Sequence, residues 1–495
     1  MILTNKQKKA LEKMADFLNN NFDIFLLKGY AGTGKTTILK EFIKKAKEEQ
    51  WTIKPLASTG KAAKVLGEKI EKNAITLHSA IYNNPHNDET GKTIFDTREK
   101  NNIKKQIYII DEASMIGNIH VENNIVKFGT GETLTDLFKN KNTKIIFVGD
   151  PFQLLPVKNN KSYALDKNFL EDIFQKKCDE YTLTDIIRQA DTNFIVQESL
   201  RLRNNYNNNK SFKLNIDNKD IKEFTDVEAV DFFIKNQENT AIITYTNKDT
   251  LYYSNLIREK LGMKDIVCDG DKLLVVYNNQ VKKLNNGEII TIKKVVGEII
   301  TKRIRKDEKI ETLNFQQILT NINGHEEKLY IVLDLLQDEN YTSIDNKVLP
   351  ILNVLKRQDE ILGNALQVRY GYAITCHKAQ GSEFDNVILK SKDENYIQNE
   401  EDCRWLYTAI TRAKKKLFVL NNYKYIENLS DDLINKEINS KSEENDEYNE
   451  IIDKQSQENI EKESVSVLEI SYKMTIIIDG KKHDCTVINK YKWRK

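Results

Sequence analysis

Residues 29–37 read GYAGTGKTT, from Gly29 to Thr37, between the apolar run DIFLLKG (23–29) and the amphipathic stretch TTILKEFIKKAKEE (36–49). Gly29, Gly34, Lys35 and Thr36 fit the G-x-x-x-x-G-K-[ST] phosphate-loop pattern in its required strand–loop–helix setting. Glycines at 29, 32 and 34 let backbone N–H groups approach phosphate oxygens, and the helix N-terminus that follows favours an anion. Gly29, Gly32, Thr33, Gly34, Lys35, Thr36 and Thr37 therefore form a candidate triphosphate cradle. In it Lys35 faces the β- and γ-phosphates and the Thr36 hydroxyl is a Mg²⁺ ligand.

The runs TIKPLAS (52–58), QIYIIDEA (106–113) and TKIIFVGD (143–150) are short and nearly continuously apolar, as in strands of a parallel sheet covered on both faces. With DIFLLKG and the intervening amphipathic stretches they predict a doubly wound α/β core. IIDEAS ends one strand in two carboxylates. Asp111 is placed to hold Mg²⁺ and Glu112 to polarise an attacking water as general base, so hydrolysis is expected as well as binding. A surface acidic pair is the plain alternative.

A polar, turn-rich piece, NNPHNDETGKTIFDTREKNN (83–102), interrupts this core and predicts an inserted hairpin turning near Thr90–Gly91. TAIITYTN (240–247), RYGYAITC (369–376), FDNVILK (384–390) and KKLFVLN (415–421) predict the strands of a second α/β core. From about Cys268 to Asn364 short alternating runs (KLLVVYN, EIITIKKVVGEII, EKLYIVLD) predict a small β-barrel-like insertion.

At 495 residues, 39% hydrophobic and 30% charged, the chain reads as a soluble globular protein of several units. No stretch approaches the ~18 apolar residues of a membrane span. Five dispersed cysteines without a CxxC pair and six scattered histidines argue for a reducing cytosol and against a zinc site. The net charge of +2 hides an asymmetry: residues 431–463 hold twelve acids and four bases, which leaves the remainder at +10. A basic body with an acidic segment suits a nucleic-acid binder, and equally an accidental surface balance.

In chain order come GYAGTGKTT, LASTGKAAKVL, TLHSAIY, IIDEAS, FVGDPFQLLPV, TLTDIIRQ, ITYTNKD, YAITCHKAQGSEFD and LYTAITRAKKKLFVL. Over roughly residues 1–425 this series resembles the superfamily 1 helicases, and within them the RecD-like and bacteriophage Dda-like branch. LAST and HKAQG depart mildly from that branch's commoner APT and HKSQG.

The resemblance implies two tandem RecA-like P-loop domains. The first (1–80 and 104–183) would carry an inserted hairpin (81–103), and the second (184–267 and 365–428) an SH3-like β insertion (268–364). An acidic linker, expected to be disordered (429–465), and a basic β-hairpin (466–495) would follow. It implies an ATP- and Mg²⁺-dependent DNA helicase, DNA-stimulated and monomeric, in bacterial or phage-infected cytosol. Such a helicase moves 5′→3′ on single-stranded DNA by one nucleotide per ATP and acts at single-strand/duplex junctions. A translocase that mainly displaces bound proteins, and a regulatory ATP switch without motor action, are the competing readings. The acidic segment is read as a solvated linker, or as a docking site for replication proteins.

Residue by residue, the resemblance assigns Gln7 to the adenine edge, with a solvated helix residue as the alternative. Gln153 becomes the γ-phosphate sensor, with Asp150 beside it in the Mg²⁺-linked network. Arg188 and Arg412 become arginine fingers from the second core, and Glu383 lies near the ribose. Thr59, Lys61, Thr76, His78, Thr246, Asn247, Thr375, His377 and Lys378 become contacts to the single strand. Small hydroxyls, amides and cations suit phosphate and sugar oxygens without reading sequence. Phe95 is either a strand-separating pin or the packing anchor of its hairpin.

Overall fold

The computed structural model describes residues 3–494 except 85, 88–92, 99–104, 121–125, 140–142, 157–158, 187–192, 209–211, 213, 217, 280, 307–308, 340–347, 393–398, 421–464 and 479–480. Strands β1 (Ile24–Gly29), β2 (Thr52–Ala57) and β3 (Ile75–Thr76) open the chain. The short strands β4 (His86–Asn87) and β5 (Thr93–Phe95) come next, then β6 (Gln106–Asp111), β7 (Val126–Phe128), β8 (Thr143–Gly149) and β9 (Cys178–Leu183).

Six of these form one parallel sheet in the order β3-β2-β6-β8-β1-β9. Alternate side chains leave opposite faces. Phe25, Leu27, Ile107, Ile109, Ile146 and Val148 pack under the helices Asn5–Asn19 and Lys35–Glu48, while Ile24, Leu26, Tyr108, Ile110, Ile145 and Phe147 fill the other side. Burial on both faces explains why these strands are continuously apolar. The edge strand β9, CDEYTL, is half polar, and the pattern did not reveal it.

The predicted hairpin is present as β4 against β5, with His86 opposite Ile94 and Asn87 opposite Thr93. Its predicted turn at Thr90–Gly91 lies outside the described residues. β7 adds a third strand, parallel to β5, so this small sheet also draws on residues beyond the predicted insertion.

The second parallel sheet contains β10 (Ile221–Glu223), β11 (Thr240–Thr244), β17 (Ala373–Thr375), β18 (Phe384–Lys390) and β19 (Ala413–Leu420), in the order β10-β19-β18-β11-β17. Between β11 and β17 the chain leaves to build a barrel from β12 (Lys272–Val275), β13 (Ile289–Lys306), β14 (Lys309–Ile322), β15 (His325–Val332) and β16 (Leu366–Tyr370). Pairing of β12 with both β16 and β13 closes the five strands on themselves. The architecture is that of two tandem RecA-like cores, the second carrying an SH3-like barrel.

RYGYAITC, read as one strand of the second core, is split between two sheets. Leu366–Tyr370 belongs to the barrel and Ala373–Thr375 to the core, so the return to the core falls at Gly371–Tyr372 and not at residue 365. Both crossings of this boundary are fixed by the buried carboxylate of Asp271. It accepts from Arg258 (Nε 2.9 Å, Nη2 3.1 Å), from the Cys268 amide (2.8 Å) on the way out and from the Tyr372 hydroxyl (2.9 Å) on the way back.

The C-terminal hairpin pairs β20 (Val465–Ile478) with β21 (Lys481–Arg494) in continuous antiparallel register, and β20 meets the barrel at Ile299–Ile476. The predicted turn at Asp479–Gly480 and the acidic linker lie outside the described residues.

Candidate nucleotide site and strand-binding face

The phosphate loop leaves β1 at Gly29, with Gly32 and Gly34 at φ +77° and +79°, left-handed values that glycine adopts without a Cβ penalty. A Cβ at Gly29 would stand 2.8 Å from the Thr33 hydroxyl and 3.2 Å from Lys35 Cγ, so only glycine leaves the loop open at its base. Helix Lys35–Glu48 starts without a capping side chain, which leaves its first N–H groups facing the loop. The Lys35 ammonium sits within the loop, donating to the carbonyls of Gly29 (2.6 Å) and Tyr30 (3.0 Å).

Gln7 is buried, unlike the solvated alternative. Its carbonyl accepts from the Thr4 amide in a capping box, and its amide reaches the Thr33 carbonyl at 3.4 Å, tying the first helix to the phosphate loop. Asp111 ends β6 and accepts from the Glu112 amide at 3.0 Å; Glu112 follows in the left-handed region at φ +53°. Burial raises the pKa of both carboxyls. For Glu112 the Asp111 charge adds to the rise, and the cations of Arg412 and then Lys35 oppose it.

Arg412 thus acts on Glu112 from the other core. It is almost completely buried, with Nε on the Thr408 carbonyl (2.9 Å), Nη1 on the Ser382 carbonyl (3.2 Å) and Nη2 on the Thr411 hydroxyl (3.3 Å). Three of its five N–H donors are used in holding it still. Arg188 lies outside the described residues.

Gln153 is buried, its side-chain carbonyl without a protein donor among the described residues. Helix Glu400–Ile410, just before Arg412, grips the segment around Gln153. Arg404 donates to the carbonyls of Pro151 (2.6 Å) and Gln153 (3.1 Å), the Leu154 amide donates to Thr408 Oγ1 (2.9 Å), and Tyr407 donates to Asp150 Oδ2 (2.7 Å). Tyr407 also accepts from the Ala31 amide of the phosphate loop at 3.1 Å. From helix Phe194–Asn207 the Arg203 guanidinium lies 3.4 Å from the centre of the Tyr30 ring. Glu383 spans the cores differently, with Lys69 at 3.5 Å and Lys414 at 3.8 Å.

The residues expected on the strand stand at the C-terminal ends of parallel strands. Thr59 follows β2, Thr76 ends β3, Thr246 follows β11 and Thr375 ends β17, each as the N-cap of the next helix. Thr59 accepts from the Ala62 amide (3.1 Å), Thr76 from Ser79 (3.1 Å) and Thr246 from Asp249 (3.0 Å). Asn247 is the first residue of its helix.

The two cores meet along this edge. Lys61 lies 5.5 Å from the centre of the Phe384 ring, and a Cβ at Gly381 would come within 2.9 Å of the Ala62 methyl. The barrel joins them: Lys378 donates to Asn286 (3.2 Å), and a Cβ at Gly60 would come within 2.5 Å of Asn285. Burial lowers the pKa of Lys61, and burial with Arg369 pushes that of Lys378 down to about 8. His377 is exposed beside it. His78 and Phe95 are brought together through Phe128, the first edge-on at 5.2 Å and the second stacked at 4.5 Å and 22°.

Sequence reasoning missed Tyr407, Arg404 and Thr408, although all three stand in or beside a motif read only for its arginine. It also missed Arg203, Phe128 and Asn285–Asn286, which no motif marked.

A phosphate loop on one α/β core, faced by buried side chains of a second, defines a two-core P-loop NTPase. Comparison with known proteins gives matches to the AAA domain family (AAA_30) over residues 2–226 and to the UvrD-like helicase C-terminal domain over residues 370–420. The RecBCD enzyme subunit RecD of Buchnera aphidicola is 28% identical over 85% of this chain and 74% of its own. The ATP-dependent DNA helicase dda of Enterobacteria phage T4 is 24% identical over 84% and 98%. A solved structure of Bacteroides Pif1 helicase with ADP-AlF3 and ssDNA matches 90% of this chain and 98% of its own, at 19% identity and a TM-score of 0.45. These matches make the chain an ATP-dependent DNA helicase, similar to the superfamily 1 helicases of the RecD-like and Dda-like branch.

Proposed function

We propose that this helicase steps 5′→3′ along single-stranded DNA, one nucleotide per ATP, and separates duplex at a junction ahead of it. The observation that carries a nucleotide-gated motor is the contact across the cleft: Tyr407 of the second core bonds both the Ala31 amide of the phosphate loop and Asp150, and Arg404 bonds the carbonyls of Pro151 and Gln153. A cation that meets the γ-phosphate only when the cores are closed stabilises transition-state charge and ties hydrolysis to closure.

Lys35 and the uncapped helix start hold the triphosphate, Gln7 borders the adenine, and Glu112 orients the attacking water. Thr36 and Asp111 fit a Mg²⁺ site, being a hydroxyl and a half-buried carboxylate whose charged form the Lys35 cation favours. Bound there, Mg²⁺ supplies charge neutralisation at the phosphates. Gln153, whose side-chain carbonyl has no protein donor among the described residues, suits a sensor of what occupies the cleft. Arg188 is the second finger and Glu383 borders the ribose.

The strand lies over the four helix starts at Thr59, Thr76, Thr246 and Thr375, where N–H groups favour phosphate. Lys61, His78, Asn247, His377 and Lys378 flank it. Two helix starts come from each core, so closing and reopening the cleft changes the spacing of two grips on one strand. Opening one base-pair step costs about 1.4 kcal/mol of stacking, within reach of one hydrolysis event.

The 5′→3′ polarity rests on the family resemblance. It is tested by unwinding of forked duplexes and of duplexes with a single 5′ or 3′ tail, in DNA and in RNA, with ATP. Unwinding from the 5′ tail of DNA is the expected result, and unwinding from the 3′ tail alone would overturn it.

A further inference from the structure

We infer that Tyr407, with Arg203 beside it, is a positioning group that makes hydrolysis at the phosphate loop depend on the seating of the second core. The inference rests on the helicase reading and adds residues that the finger arginines do not cover.

Arg404, Tyr407 and Thr408 share one face of helix Glu400–Ile410, at i, i+3 and i+4. All three bond the segment Asp150–Leu154, and Tyr407 alone also reaches the phosphate loop. A phenol has one proton to give. It goes to the Asp150 carboxylate, so the oxygen is left as acceptor for the Ala31 amide. One hydroxyl therefore links three parts of the site: the loop, the strand-end segment bearing Gln153, and the helix that leads to Arg412.

Packing alone does not require that hydroxyl. The ring is buried edge-on against Phe152 at 5.1 Å, a contact that phenylalanine would keep. A second observation falls on the same place. Arg203 stacks on Tyr30, the residue before Ala31, and its Nη1 is buried without a hydrogen-bond partner among the described residues. Two side chains from two helices of the second core thus converge on Tyr30–Ala31. Neither is placed to exchange a proton with substrate; each fixes where the loop sits relative to Asp150 and Arg412.

Tyr407→Phe removes the hydroxyl and keeps the ring, and Arg203→Met removes the charge and keeps an unbranched chain. ATP hydrolysis is measured with and without an oligothymidylate, alongside thermal stability. For Tyr407→Phe the expected result is a DNA-stimulated kcat lower by tenfold or more. KM for ATP stays within threefold, the stimulation ratio falls below about a third of wild type and the melting temperature is nearly unchanged. Arg203→Met is expected to lower stimulated kcat at least threefold, and the double variant to fall short of the product of the two, because both act on one loop. A stimulated kcat within twofold of wild type in both variants would overturn the inference. So would losses matched by melting temperature and equal with and without DNA. A wild-type ATPase indifferent to oligonucleotide would instead remove the helicase reading, and this inference with it.

Discussion

Lys378 offers a quantitative test of the strand-binding face. Its ammonium is half-buried between the second core and the barrel, donating to Asn286, and burial with the nearby Arg369 holds its pKa at about 8. A lysine with a lowered pKa is charged below that value and neutral above it. If a DNA phosphate requires the ammonium, the binding-competent fraction falls from about nine-tenths at pH 7 to about one-tenth at pH 9. That is close to a tenfold loss of affinity, or about 1.4 kcal/mol. Neutralising one contact also lowers the steepness of log K against log salt by about 0.7 for a single strand.

The assay is fluorescence anisotropy with a labelled oligothymidylate at fixed ionic strength, at pH 7 and pH 9, in wild type and Lys378→Arg. Arginine stays charged throughout. It therefore removes the Lys378 contribution and leaves that of Lys61, whose pKa burial also lowers. Cys178, Cys376 and Cys403 add little in this window, since burial raises each to about 12. Wild type is expected to weaken about tenfold more than Lys378→Arg between the two pH values. Equal pH dependence in the two proteins would refute the placement of Lys378 on the strand.

Arg412→Lys replaces a guanidinium held by three donated bonds with a single ammonium. DNA-stimulated kcat should fall by about 10³ or more with single-strand affinity kept, and a variant retaining a tenth of wild-type activity would contradict the finger role. Asp271→Ala leaves Arg258 buried beside an empty position. It should cost about 3–5 kcal/mol in urea denaturation, with part recovered by adding Arg258→Met. A loss under about 1 kcal/mol would mean the junction is held elsewhere. Phe95→Ala should reduce unwinding while DNA-stimulated ATPase persists; equal loss of both would leave Phe95 as the anchor that its stack on Phe128 describes.

Much of the fold was legible because parallel strands covered on both faces must be apolar at every position. DIFLLKG, QIYIIDEA and TKIIFVGD announce themselves in that way. The pattern fails where the covering changes. RYGYAITC is buried at every position but Thr375, so no polar break marks the point where the chain passes from barrel to core. That point is set by pairing: Leu273–Val275 takes Val368–Tyr370 and Ile242–Thr244 takes Ala373–Thr375, contacts between residues far apart in sequence. The edge strand CDEYTL was hidden for the opposite reason. With only β1 for a hydrogen-bonding neighbour, it keeps partly exposed polar positions and loses the signature.

The threonines expected on the strand show why site chemistry is harder to read than fold. Thr59, Thr76 and Thr246 drew attention as hydroxyls suited to phosphate, and in the structure each spends a lone pair on capping its own helix. The proton is committed too at Thr246, which donates to Asp249 at 2.6 Å, and Thr76 shares a 2.7 Å hydrogen bond with Ser79. What such a residue offers a phosphate is then less its own hydroxyl than the helix start it organises, with N–H groups pointing outward at the end of a strand. Thr375 makes no side-chain cap bond, so its hydroxyl is the one not committed to capping. Tyr407 teaches the converse. Its motif was read for the arginine, because a cation declares its partner from sequence, whereas a phenol acquires a role only from what the fold sets on either side of it. Here that is a backbone amide 376 residues away and a carboxylate 257 residues away.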